Sequence, residues 1–224
     1  MPTSRHERAF RRAGYRAIAG LDEAGRGALF GPVFAAAVIL DPGNPIRGLD
    51  DSKLLEPERR EVLAARIRER AVSWAVAAAD AFEIDQWNIL QASRMAMRRA
   101  VERLPVPCDF LLIDAVSVDL PLPQKSLVHG DSLCFSIAAA SILAKTARDA
   151  ALRAFDAVFP EYGFKDNKGY GAPAHLAALE RLGPTCLHRF SFEPVRNFSR
   201  DDQPWTGYPI PEDMSQQGEL FACP

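Results

Sequence analysis

The sequence predicts an α/β fold, a mixed five-stranded sheet flanked by helices. Three observations carry this. Two apolar runs of strand length, residues 15–22 and 33–40, come early and close together. Strand-like runs then alternate with amphipathic helical patterns. Stretches rich in Pro, Gly and Asp separate them.

Taken in order, residues 15–22 read as a first strand and 33–40 (Val-Phe-Ala-Ala-Ala-Val-Ile-Leu) as a second, buried on both faces. A loop follows to Glu56. Pro57, at a first helical position, opens a helix to about Arg70. Residues 72–82 suit a third strand. Residues 84–104 form a long amphipathic helix stopped by Pro105 and Pro107. Residues 109–116 make a fourth strand with Asp114 near its end, and 126–129 a short fifth. Asp131 or Ser132 caps a helix running to about Phe159. Its small-residue run, 137–141, suits close packing on a sheet. Residues 174–182 form a last helix, closed by Gly183-Pro184.

For a chain of 224 residues that is 48% apolar, one domain or one domain plus an appendage is expected. No apolar stretch is long enough to span a membrane, and no apolar run of a secretory signal follows the first arginines. Cys108, Cys134, Cys186 and Cys223 show neither Cys-x-x-Cys pairing nor zinc spacing. Reduced thiols in a cytoplasmic protein, a monomer by default, are the simplest account. The net charge of −2 lacks the basic excess usual in nucleic-acid binders. It hides a pattern, however: residues 1–20 carry five arginines against one Glu, and residues 201–224 carry five acids and no Lys or Arg. The expected organisation is a basic arm (1–14), a catalytic domain with a C-terminal extension (15–198) and an acidic tail (199–224), for which disorder is expected.

The most informative run is Ala19-Gly20-Leu21-Asp22-Glu23-Ala24-Gly25-Arg26-Gly27. Two adjacent carboxylates end an apolar strand, and a glycine-flanked arginine follows. Hard divalent cations take oxygen ligands, and glycine lets a phosphate or sugar approach the backbone. Asp114 follows the apolar Phe110-Leu111-Leu112-Ile113, where an acid is costly unless paired or bound to a cation; the equal alternative is an acid just past the strand, already in water. Asp131 stands at a helix start, where it serves as a cap, a ligand or both. Ligands of open α/β sheets gather at strand ends, so the four acids are placed to hold two Mg²⁺ or Mn²⁺ ions for phosphoryl chemistry.

Several blocks together resemble ribonuclease HII. They are Asp22-Glu23-Ala24-Gly25-Arg26-Gly27, Asp51-Ser52-Lys53, Glu83-Ile84-Asp85 with Asn88-Ile89-Leu90, Leu112-Ile113-Asp114-Ala115 and His129-Gly130-Asp131. The run Ser136 to Lys145, Asn167-Lys168-Gly169-Tyr170-Gly171 and His188-Arg189-Phe190-Ser191-Phe192 complete them. The blocks stand in family order across residues 15–196. The resemblance implies an RNase H-like fold with a helical C-terminal extension. It also implies Mg²⁺- or Mn²⁺-dependent hydrolysis of the RNA strand in RNA–DNA hybrids, and nicking 5′ of single ribonucleotides embedded in duplex DNA, leaving a 5′-phosphate.

By resemblance, Asp22, Glu23, Asp114 and Asp131 are the catalytic, metal-binding acids. Gly25, Arg26 and Gly27 sense the ribose 2′-hydroxyl, and Tyr170 stacks on the neighbouring sugar. Lys53 reads as a solvated surface lysine or a phosphate contact, and the resemblance favours the contact. Asn167 and Lys168 are placed for backbone-phosphate contacts. The chain departs from the family pattern at His129, Ala115, Ala172 and Phe190. Lys145 and Asp149, four apart on one helix, read as an ion pair. His175, His188, Met95, Met97, Trp74 and Trp87 read as structural. Gln217, Leu220 and Phe221 match a sliding-clamp peptide of the Gln-x-x-Leu-Phe kind. Two other readings stand beside the first: a ribonuclease HIII-type hybrid nuclease, against which Gly25-Arg26-Gly27 and Tyr170 speak, and a non-catalytic nucleic-acid binder on the same fold.

Overall fold

A computed structural model describes residues 2–198. Five strands form one mixed sheet: β1 (Ile18–Ala24), β2 (Val33–Ile39), β3 (Ser73–Ala79), β4 (Phe110–Asp114) and β5 (Gln124–Leu127). Their spatial order is β3-β2-β1-β4-β5; β1 pairs antiparallel with β2 and parallel with β4. The mixed, helix-flanked sheet is the one the sequence predicts.

The first strand differs from its expected span in a way that matters. Pairing with β2 continues through Asp22–Ala36 and Glu23–Ala35 to Ala24–Phe34. Glu23 therefore lies inside β1 with Asp22 rather than beyond the strand, because its pairing with β2 continues to Ala24. Tyr15 is outside the strand, its ring 4.6 Å from that of Phe110.

Helices cover both faces. On one lies α3 (Ala81–Glu102), with Ala92, Ala96, Met97 and Ala100 on Leu21, Ala35, Ala37 and Ile113. It starts three residues earlier than periodicity implies, because Asp80 and Glu83 form a capping box. At Asn88 the backbone turns left-handed (φ 67°), and the side chain accepts from Leu90 and Gln91 N–H to start the helix afresh. Trp87 beside it is half exposed, not a packing residue. The other face carries α2 (Pro57–Arg70) and α5 (Phe135–Val158), which meet Ala36 and Val38. Gly20 permits that approach: a Cβ there would stand 2.1 Å from the Ser136 carbonyl carbon.

The single helix expected from residue 131 to 159 is two. A short α4 (Gly130–Leu133) is separated from α5 by Cys134 in extended conformation. Neither Asp131 nor Ser132 caps it; His129 does, with φ 56°. The long helix is capped from elsewhere. Residues Arg5–Arg12 form α1, and its buried Glu7 accepts from the Ser136 N–H (2.9 Å), the Ser136 hydroxyl (3.1 Å) and the Cys134 thiol (3.1 Å). A carboxylate is favoured at that helix end. Burial, with Glu7 beside it, pushes the Cys134 thiol up to about 12.

The C-terminal extension comprises α6 (Phe164–Asn167) and α7 (Pro173–Leu182), with Phe30, Tyr162, Phe164, Leu179 and Val195 as its core. Phe30 comes from the β1–β2 loop and stacks on Phe164 at 3.7 Å. Backbone bonds Leu29 N–H to Gly169 O, Arg189 N–H to Leu29 O and Gly31 N–H to Leu187 O stitch that loop to the extension. His175 and His188 are buried and share a 3.1 Å Nε2–Nε2 contact, in keeping with a structural role. Among the described residues no helix is long and apolar enough to cross a membrane.

Candidate active site

The central, adjacent parallel strands β1 and β4 bring two acids side by side. Leu21 pairs with Ile113, so Asp22 and Asp114 follow at the same level. Glu23 is next on β1. Asp131 enters from α4, which follows β5, the other neighbour of β4. Each of three carboxylates is held by a main-chain donor: Asp22 by Glu23 N–H (2.7 Å), Asp114 by Gly130 N–H (2.7 Å) and Asp131 by Ser132 N–H (2.8 Å). Glu23 instead meets the Arg26 guanidinium at 3.2 Å.

The cluster is electrostatically uncomfortable. Burial, then the charges of Glu23, Asp114 and Asp131, raise the Asp22 pKa well above the usual carboxylate range. Burial raises Glu23 too, and Arg26 only partly counters it. Burial, with Asp51 and Asp114 adding to it, raises Asp131. Partial burial works against the Lys53 ammonium, but Asp51, Asp131, Asp22 and Asp114 more than offset this and raise its pKa. Lys53 therefore lies within electrostatic reach of the acids. Its loop is pinned by Arg60, which donates to Ser52 O and Leu55 O and pairs with Asp149. Asp149 also takes the Lys145 ammonium at 2.6 Å, the expected ion pair.

Among the described residues no three acid, imidazole or thiol side chains are gathered closely enough to hold an ion as they stand. The donor set still suits a hard divalent cation: it is all oxygen, and the buried Oε2 of Glu23 has no hydrogen-bond partner. A cation would satisfy that atom and relieve the repulsion.

The turn after β1 is built differently. Gly25 has φ 96° and packs directly on Arg148; a Cβ there would lie 2.0 Å from the Arg148 Nε. The fully buried Arg189 guanidinium donates to Gly25 O (2.8 Å), Arg26 O (2.7 Å) and Gly31 O (2.9 Å). Burial and the nearby Arg148 charge push it down to about 9, so it stays charged at neutral pH. Arg148 donates to Lys168 O (2.9 Å) and lies 5.2 Å over the Tyr170 ring. An ideal Cβ on Gly27 would be 4.0 Å from that ring. Gly25, Gly27 and Tyr170 thus line one place, joined underneath by two buried arginines.

Asn167 is consumed by the fold: its side chain donates to Tyr162 O and accepts from Gly169 N–H. Lys168 caps α6 in a left-handed conformation, its ammonium turned back to Lys165 O. Gln217, Leu220 and Phe221 lie outside the described residues. Sequence reasoning missed Arg148, Arg189 and Asp51. Arg189 had one signal, its place in the His188-Arg189-Phe190-Ser191-Phe192 block that carries the resemblance, and Arg148 had none, standing among Lys145, Thr146 and Asp149. Asp51 stands in the Asp51-Ser52-Lys53 block, but its influence on Asp131 comes only from the tertiary fold.

Comparison with known proteins gives the family and the fold. The family model described as Ribonuclease HII matches residues 19–195. A Ribonuclease HII of Solibacter usitatus is 60% identical over 215 residues, covering 96% of this chain and 90% of that protein. One of Koribacter versatilis is 54% identical over 193 residues, covering 86% and 76%. In fold, the chain is similar to the Archaeoglobus fulgidus protein in a PCNA:RNase HII complex, with TM-score 0.68, 24% identity and coverage of 84% and 100%. It is also similar to Bst-RNase HIII in complex with Mn²⁺, with TM-score 0.61, 20% identity and coverage of 84% and 70%. Its family implies endoribonuclease activity of the ribonuclease H type; the chain belongs to the ribonuclease HII family.

Proposed function

We propose that this endonuclease hydrolyses the RNA strand of RNA–DNA hybrids and nicks duplex DNA 5′ of a single embedded ribonucleotide, leaving a 5′-phosphate. The observation that carries this reading is the arginine-held Gly25–Gly27 turn facing Tyr170, directly after the strand that bears Asp22 and Glu23. Asp22, Glu23, Asp114 and Asp131 would hold two Mg²⁺ or Mn²⁺ ions. Bound there, such ions supply activation of the attacking water and neutralisation of charge on the leaving oxygen. The chain's own residues do the rest. Lys53, within electrostatic reach of the acids, takes a substrate phosphate. With the Gly25 and Arg26 carbonyls occupied by Arg189, the turn presents its N–H side to the ribose 2′-oxygen, the atom that distinguishes RNA from DNA. Tyr170, 39% exposed, offers its ring to the next sugar.

The test is a labelled DNA duplex carrying one ribonucleotide, with Mg²⁺, with Mn²⁺ and with chelator. A nick 5′ of the ribonucleotide is expected with either ion, and none in chelator. Cleavage of continuous hybrid without that nick would replace this reading with a ribonuclease HIII-type one. Hybrid binding without any turnover would make the chain a binder. The same reading gives Gln217, Leu220 and Phe221 to a sliding clamp; a peptide of residues 210–224 is expected to bind purified clamp, and no binding at high micromolar concentration ends that part.

A further inference from the structure

The arginines of α1 are used by nothing described so far. Arg5, Arg8 and Arg12 are exposed and, at i, i+3 and i+7, share one helix face, with the half-buried Arg11 beside them. Arg26, Arg60, Arg98, Arg99, Arg153 and Arg196 each meet a carboxylate. Among the described residues these four meet none. Arg11 donates to Leu40 O, and Arg12 to Arg8 O. Like charges at such spacing repel, and a bound anion removes that repulsion.

The helix is also rigidly placed. Glu7 on its opposite face is the buried cap of α5, and Phe10 stacks on Phe110 at 4.0 Å. Just before it, Thr3 N–H donates to Leu133 O, and Phe135 N–H donates to Thr3 O. The start of α1 therefore adjoins α4, which carries Asp131. From there the basic face leads away from the candidate active site, toward Leu40 just past the end of β2. Seven residues of helix cover about 10 Å, the reach of roughly three phosphates along one strand. Arginine's planar fork matches phosphate oxygens.

We infer that the α1 face of Arg5, Arg8 and Arg12 is a second contact for the phosphate backbone of a nucleic-acid duplex, outside the cutting site. It rests on the nuclease reading of that site. It holds duplex that extends past the cleaved bond, and it adds affinity without touching the chemistry.

The test compares the parent chain with Arg5→Gln/Arg8→Gln/Arg12→Gln and with the corresponding triple Lys variant. Binding of a 30-base-pair RNA–DNA hybrid is measured in chelator from 50 to 300 mM salt. The Gln variant is expected to bind about tenfold more weakly at 100 mM salt, with a log–log salt slope smaller by about 2–3. The Lys variant keeps the parent slope, and kcat at saturating substrate is unchanged in both. An unaltered slope in the Gln variant overturns the inference, as does an equal loss in the Lys variant. A peptide of residues 201–224 that binds the parent more tightly than the hybrid, and is lost in the Gln variant, would assign the face to the chain's own acidic segment and also overturn it. Failure of the parent to bind or cut any hybrid would instead sink the nuclease reading.

Discussion

Two neighbouring regions handle buried charge in opposite ways. In the acid cluster, Asp22, Glu23, Asp114 and Asp131 lie within electrostatic reach of one another, and burial and repulsion raise the proton affinity of Asp22, Glu23 and Asp131. Two residues further along, the turn at Gly25 rests on Arg189, a charge equally buried but answered by three carbonyls. The first arrangement retains an unmet demand for positive charge, and the second has met its own. Binding chemistry belongs to the first and positioning to the second, and substitutions should separate them.

The largest effect is expected in the acid cluster. Asp114→Asn should reduce cleavage on the order of 10²–10³-fold or more while circular dichroism stays unchanged; parent-like turnover would remove Asp114 from the chemistry. Next comes Arg189→Lys, which cannot reach three carbonyls with a planar fork. It should lower stability by about 1–3 kcal/mol for each carbonyl left unpaired, read by denaturant titration. Its nicking at a single ribonucleotide should fall more than its cutting of continuous hybrid. Equal falls would reduce Arg189 to a purely structural residue.

Asp22→Asn should act in the reverse sense, raising stability by about 1 kcal/mol at neutral pH as it abolishes cleavage, the trade expected at a strained site. Mg²⁺ should raise the Tm of the parent more than that of the variant. A fourth effect lies outside both regions. Burial, then the charge of His175, pushes His188 down to about 3. The unfolded chain then binds more protons below its ordinary histidine range, so stability is full above pH ~6.5 and declines as pH falls toward 3. His188→Asn should flatten that decline in Tm; an unchanged slope would assign it to other groups. The smallest effect concerns Ala115, whose φ is 53°. Glycine suits that left-handed position, and Ala115→Gly should stabilise by about 0.5 kcal/mol.

Much of the site was legible because its signals are local. An acid ending an apolar strand, or a glycine-flanked arginine after it, shows in a window of ten residues. Even so, the window misjudged where β1 ends, since the ladder to Ala35 and Ala36 is set by a second strand. Nor does it show that the Asn167 side chain is held by the Tyr162 carbonyl and the Gly169 amide. The break at Cys134 was hidden because helical pattern continues through it; only Glu7, 127 residues away, explains where α5 begins.

The sequence by itself therefore determined the mixed sheet, the four acids and the glycine-flanked turn, because periodicity, burial cost and turn chemistry act between near neighbours. Tertiary structure alone decided how those parts are held. Arg189 reaches Gly25 across 164 residues, and Arg60 fixes the loop of Lys53 while pairing with Asp149. A buried guanidinium chooses its carbonyls by proximity in the folded chain, and no pattern along the sequence encodes that proximity.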